Sequence, residues 1–163
     1  MQLTSKCTLL LWMFGICYPA LPQVLQNPTI AIESRNATVE SGQAVQVHIA
    51  LENTTSQEFT IFRSTGGGSG ELYYSISVIG PDGHPAASTE YGAALEKNRH
   101  AINPLSRKMV HVAPGETVDD NVTVSKMFNM AAPGTYLVQV SRSSPFDPAV
   151  ILKSNTLEID VVI

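Results

Sequence analysis

Cysteine is nearly missing from this chain of 163 residues: the only two are Cys7 and Cys17. Both lie in an N-terminal stretch that reads as removable. The remainder of the chain therefore has no disulfide, no thiol nucleophile and no thiolate metal ligand. A chain of the roughly 140 residues that remain can bury about two thirds of its unfolded surface in one core, so covalent staples are not required.

Positive charge is also sparse. Ten Lys and Arg stand against fourteen Asp and Glu, a formal net charge of −4, with no basic run. That distribution argues against nucleic acid or an anionic membrane as a partner, since both recruit clustered cations. The one long apolar run, Cys7 to Cys17, includes Leu9, Leu10, Leu11, Trp12, Met13, Phe14 and Ile16. It falls short of the roughly 20 residues that span a bilayer. Lys6 precedes it, Pro19 and Pro22 come after it, and Ala20 or Gln23 supplies a cleavage position, which is the form of a signal peptide. The expected organisation is a signal peptide over 1–23 and one domain over 24–163, secreted or periplasmic, with no membrane attachment after cleavage.

Catalytic signatures are lacking as well. There is no Gly-x-Ser-x-Gly elbow, and the glycine run Thr65-Gly-Gly-Gly-Ser-Gly70 lacks the Lys-Ser/Thr of a phosphate loop. None of His48, His84, His100 or His111 begins the pattern of a helical zinc site. A cross-strand pair of His48 with His111 is conceivable, but solvated strand histidines are the simpler reading. Asp119 and Asp120 are adjacent, and neighbouring strand residues face opposite sides, so they cannot share a substrate; together with Asp82 and Asp147 they read as solvated carboxylates. No enzyme activity, cofactor or metal is expected.

What the sequence does contain is period-two alternation. Ile30 and Ile32 alternate with polar or small neighbours, and Val45, Val47, Ile49 and Leu51 do so more clearly. Further strand-like runs cover 59–63, 73–79, 108–112, 117–124, 135–141 and 156–162. Turn chemistry separates them: Glu40-Ser-Gly42, Asn53-Thr-Thr-Ser56, Gly80-Pro-Asp-Gly83, Ala113-Pro-Gly115 and Ala132-Pro-Gly134. Between Ser125 and Met130 one helical turn is expected to drop Phe128 and Met130 into the core. Tyr136 then reads either as a corner tyrosine whose hydroxyl bonds back to the preceding loop or as an ordinary strand aromatic. These features predict an all-β fold, an immunoglobulin-like antiparallel β-sandwich of about seven or eight strands. Its inward-facing residues would include Val47, Ile49, Ile76, Val78, Val122, Tyr136, Val138 and Ile159. Long irregular stretches are expected at 84–106 and 143–155.

The succession Asn53-Thr-Thr-Ser56, Pro81-Asp-Gly-His-Pro85, Val112-Ala-Pro-Gly-Glu-Thr117, Ser125-Lys-Met-Phe-Asn-Met130 and Pro133-Gly-Thr-Tyr-Leu-Val-Gln-Val140 resembles the β-sandwich prodomain of deuterolysin-like, lysine-specific zinc metalloendopeptidases. It is similar, too, to bacterial secreted proteins that carry such a domain alone. The resemblance runs from about Thr29 to Val162, through turns and core positions. It implies a fold and the capacity to hold or mask another protein. The His-Glu-x-x-His of the peptidases has no counterpart here, so their activity does not carry over.

The candidate contact residues are Tyr91, Arg99 and His100, in the long stretch 84–106, because Tyr and Arg in exposed loops commonly dominate interface energetics. The alternative is that Tyr91 and Leu95 fold back over the sandwich as a lid. Asn36, Asn53 and Asn121 each begin an Asn-x-Thr acceptor triplet for glycosylation. The expected function is a secreted, non-catalytic interaction module, monomeric, with a protein partner that it contacts or masks. The alternative is an accessory domain of a secreted hydrolase, or a small hydrolase itself.

Overall fold

The computed structural model describes residues 26–64, 70–98 and 107–163. The signal segment 1–23 and two of the candidate contact residues, Arg99 and His100, lie outside them. Ten strands appear in chain order: β1 (Thr29–Glu33), β2 (Thr38–Glu40), β3 (Gln46–Glu52), β4 (Phe59–Ser64), β5 (Ser75–Ile79), β6 (Arg107–Val112), β7 (Thr117–Thr123), β8 (Gly134–Ser143), β9 (Ile151–Lys153) and β10 (Leu157–Val162). A 3₁₀ turn, η1 (Gly70–Leu72), and two helices, α1 (Glu90–Asn98) and α2 (Val124–Met127), complete the set.

One sheet has the order β1-β3-β7 and the other β2-β10-β8-β5, with β9 beside β8. Strand β3 runs antiparallel to both neighbours, pairing Ile32 with Ile49 on one side and Ile49 with Asp120 on the other. In the second sheet Val138 pairs with Val78 of β5 and Ile159 with Tyr136, while β2 joins β10 in parallel. Two sheets, antiparallel apart from the β2–β10 pair and with the first two strands split between them, form an immunoglobulin-like sandwich.

Alternation builds the core directly. Every second residue of β3 (Val47, Ile49, Leu51) and of β8 (Tyr136, Val138, Val140) is buried, and the two sets belong to one cluster with Ile30, Ile32, Val78, Val122 and Ile159. Ile76 is only half-buried, because β5 is the outermost strand of its sheet on that side. The Tyr136 hydroxyl donates to the carbonyl of Ala132 at 3.0 Å, so it is a corner tyrosine. Gly134 sits at φ +133, and a Cβ there would fall 2.6 Å from Pro81. The Ala-Pro-Gly turn therefore has a steric as well as a conformational need for glycine. Met127 and Met130 are buried and Phe128 packs partly against the core, with α2 one residue earlier than the expected turn.

Elements that the alternation does not reveal fill the two irregular stretches. The first contains α1. Thr89 caps it, its Oγ1 accepting from the Gly92 amide at 3.1 Å. A Cβ on Gly92 would lie 2.2 Å from the Met127 carbonyl oxygen, so α1 rests backbone-to-backbone on α2. The second contains β9, which continues the β10 edge along β8. Ser154 bridges the gap between them, its N–H donating to the Val140 carbonyl and its Oγ accepting from the Val140 amide.

Strands β4 and β6 stand apart from both sheets as a two-stranded antiparallel ribbon. Phe59, Ile61 and Val112 on its inner face join the common core, and Phe59 meets Phe146 edge-on at 5.7 Å.

Candidate interaction face and the polar hub beneath it

The ribbon's alternation has a second consequence. Its register places Thr60 beside His111 and Phe62 beside Met109 on the outer face. Phe62 is 50% exposed and Met109 63% exposed, two large apolar side chains in adjacent positions on neighbouring strands. Single exposed apolar residues are ordinary, but a cross-strand pair forms a continuous patch.

The inner face is held by a charge. Arg63, on β4, turns inward, and its Nη2 donates to Asp120 Oδ1 and, at 2.8 Å, to the Asp119 carbonyl. Asp120 is 6% exposed, because the alternation that buries Val118 and Val122 on β7 buries it as well. Its second oxygen accepts from the Tyr74 hydroxyl at 3.2 Å. Tyr74 is itself buried, with the Arg142 guanidinium 5.4 Å from its ring centre. Burial, and then the Asp120 charge, push the Tyr74 hydroxyl up to about 12. A Cβ on Gly70 would lie 2.8 Å from Asp120 Cβ, so η1 closes tightly over the carboxylate. Glu71, 3% exposed, accepts from the Tyr91 hydroxyl. The result is a buried polar hub joining β4, β7, η1, the approach to β5 and α1.

The hub corrects the reading of Asp120 as a solvated carboxylate. Its partner Arg63 is 57 positions away, too far for sequence spacing to reveal. Asp119 does face outward, where His48 Nε2 lies 3.1 Å from its Oδ1. His111 instead pairs with Glu58 at 3.1 Å, so the two histidines do not meet. Tyr91 keeps half of its ring exposed, but its hydroxyl is committed to Glu71, which makes it a strut for α1 as much as a contact residue. Leu95 is half-buried.

Among the acceptor triplets, Asn36 and Asn121 are exposed. Asn121 lines an open polar cleft of about 670 Å³ together with Glu33, Arg35 and His48. Asn53 is a correction: it is 0% exposed, and its Nδ2 donates at 2.8 Å to the carbonyls of both Gln57 and Val112. A nitrogen so engaged cannot carry a glycan in this fold. Among the described residues no group of three His, Cys, Asp or Glu side chains converges on a point where a metal could bind. No helix among them is long and apolar enough to cross a membrane.

No family model and no curated protein matches the sequence. Solved structures match much of the chain at low identity and low structural similarity. A CARDB domain from Pyrococcus furiosus, solved in complex with di-metal ions, is 11% identical over 84% of this chain and 90% of that one, with a TM-score of 0.43. A β-glucosidase from Erythrobacter marinus is 12% identical over 83% of this chain but only 16% of its own, with a TM-score of 0.38. The bacterial hydrophobin BslA is 10% identical, covering 85% of this chain and 97% of its own, with a TM-score of 0.37.

Proposed function

We propose that this protein is a secreted, non-catalytic interaction module whose contact surface is the outer face of the β4–β6 ribbon. The observation that carries the reading is the exposed cross-strand pair Phe62 and Met109, on a ribbon fixed from below by Arg63 and Asp120. A rigid support under exposed apolar anchors lowers the entropy lost on binding. The titratable groups with defined partners also favour it. Asp120 is taken up by Arg63 and Tyr74, His48 lies against Asp119, and His111 against Glu58; Ser34 shares a cleft with His48, but its hydroxyl lies against the Asn36 and Gln46 carbonyls, away from the role of a nucleophile. From the resemblance of the turn and core motifs to metallopeptidase prodomains, we propose further that the protein contacted, or masked, is itself secreted.

Site-specific photo-crosslinking tests this. A crosslinker replacing Phe62 or Met109 is expected to give a discrete covalent adduct with a secreted protein, whereas the same group at Leu137, exposed on the β2-β10-β8-β5 sheet, gives none. Equal adducts from all three positions, or none from the ribbon, would overturn the proposal.

A further inference from the structure

Each outer strand of the two sheets is closed off by a specific device. On β1, Asn155 mimics a neighbouring strand: its Oδ1 accepts from the Ile32 amide at 2.9 Å and its Nδ2 donates to the Ile32 carbonyl at 3.0 Å. On β7, Arg63 takes the Asp119 carbonyl. On β5, the chain turns back so that the Ala86 amide donates to the Val78 carbonyl at 2.9 Å. Strand β2 is only three residues long. Such devices are how proteins prevent unwanted pairing at sheet edges.

The ribbon differs. Asn53 caps the Val112 carbonyl at the end of β6, but from Lys108 to His111 no such cap is present among the described residues. On the inner face, where ladder partners can be compared, Val110 is half-exposed and Lys108 exposed, while their partners on β4, Ile61 and Arg63, are buried and half-buried. Strand β6 is thus the outward one. It also carries charge: β4 and β6 contain Arg63, Arg107 and Lys108, in a chain whose net charge is −4, and the carboxylate beside them, Glu58, is taken up by His111 at 3.1 Å. With Arg63 committed to Asp120, the exposed Lys108 is left to define the charge of the edge.

Resting on the reading of the ribbon as the contact surface, we infer that β6 accepts an extended segment of a partner protein as an added strand, and that this segment is acidic with apolar residues at every second position. Strand addition supplies backbone hydrogen bonds along the edge, and alternate side chains supply specificity. The period of two sets the pattern, because successive residues of an added strand face opposite sides of the ribbon. Residues on the Met109 side meet the apolar patch, and those on the Lys108 side meet an ammonium group. The same lysine repels a second copy of β6, since like charges opposite one another in a ladder are unfavourable. A carboxylate-bearing partner meets no such repulsion.

The probe is a blocked peptide alternating Glu and Val, compared with its Lys/Val counterpart and with a version N-methylated at alternate residues, each titrated into the full chain and followed by amide NMR. The acidic peptide is expected to shift and protect the amides of β6, to bind at least about tenfold more tightly than the Lys version, and to weaken with salt. The N-methylated peptide should lose binding. Lys108→Glu should reverse the charge preference, with its melting temperature checked as a control for folding. Equal binding of both charge forms, full binding of the N-methylated form, shifts confined to other strands, no binding of the acidic peptide at millimolar concentration, or pairing of two copies through β6 in sedimentation would each overturn the inference. The crosslinking at Phe62 separates the two ideas: adducts there without peptide selectivity retain the contact surface and remove strand addition, whereas loss of the adducts removes both.

Discussion

The sandwich and the ribbon are built from the same kind of strand and finished in opposite ways. In the sandwich the apolar half of each alternation is packed between two sheets, and the free backbone of the outer strands is occupied by Asn155, Arg63 or a returning turn. In the ribbon only the inner face is packed, while Phe62 and Met109 stay outside and, among the described residues, none caps β6 from Lys108 to His111. On the proposed reading, stability rests on the sandwich and the ribbon's inner face, where Phe59, Ile61 and Val112 join the core, and contact on the ribbon's outer face.

The largest expected effect tests that separation. Ile49→Ala, at the centre of β3 and fully buried, should cost about 2–5 kcal/mol in denaturant unfolding. Phe62→Ala should change stability by less than about 0.5 kcal/mol. A comparable loss at Phe62 would show that the ribbon's outer face is structural. Next is Asp120→Asn, which leaves Arg63 without its carboxylate beneath the ribbon. A loss of about 1–3 kcal/mol is expected for a hydrogen-bonded charged partner removed from a buried site. Amide exchange should quicken in β4 and β6 more than in β3. Uniform quickening would mean that the hub supports the sandwich and the ribbon equally.

An alkaline titration probes the same hub without mutation. The Tyr74 hydroxyl is raised to about 12 in the folded protein against about 10 when unfolded. Above pH 10 the unfolded chain therefore releases this proton first, and stability falls as pH rises from 10 towards 12. The full difference approaches about 2–3 kcal/mol. Tyr74→Phe should flatten that part of the stability profile; an unchanged slope would assign it to other groups. The smallest effect is expected from Asn155→Ala, about 1 kcal/mol for the two backbone bonds lost on β1, accompanied by concentration-dependent association as that edge opens. A variant that loses the stability but stays monomeric would indicate that capping there serves β1 itself, not the prevention of pairing.

The sandwich was legible because its signal is local. Val47, Ile49 and Leu51 announce their inward face by spacing alone, and Gly42, Gly83 and Gly115 mark turns that do adopt positive φ. What could not be read was decided by distant partners. Helix α1 has no apolar stripe to betray it; it is positioned by Thr89 and by the contact of Gly92 with Met127. The β9 strand is three residues long and depends on β8 for its pairing. Asp120 looked like its neighbour Asp119 until Arg63 and Tyr74 arrived from other strands. Asn53 matched an acceptor triplet, but its amide was already bonded to Gln57 and Val112. The exposed apolar face proposed for contact was missed because Phe62 and Met109 are apolar residues in strand-like runs, and no spacing rule distinguishes a buried run from the outer side of a two-stranded ribbon.

The bond between Ile32 and Asn155 joins positions separated by 123 residues. On the ribosome the first strand leaves the exit tunnel long before the side chain that will seal it. At typical synthesis rates of about 5–20 residues per second, the delay is on the order of 6 to 25 s. For that interval the strand carrying Ile30 and Ile32 has an unprotected flank. Whatever keeps the nascent chain from pairing with its neighbours has to act before Asn155 emerges, and export in an unfolded state would postpone the whole exposure until the chain has been delivered.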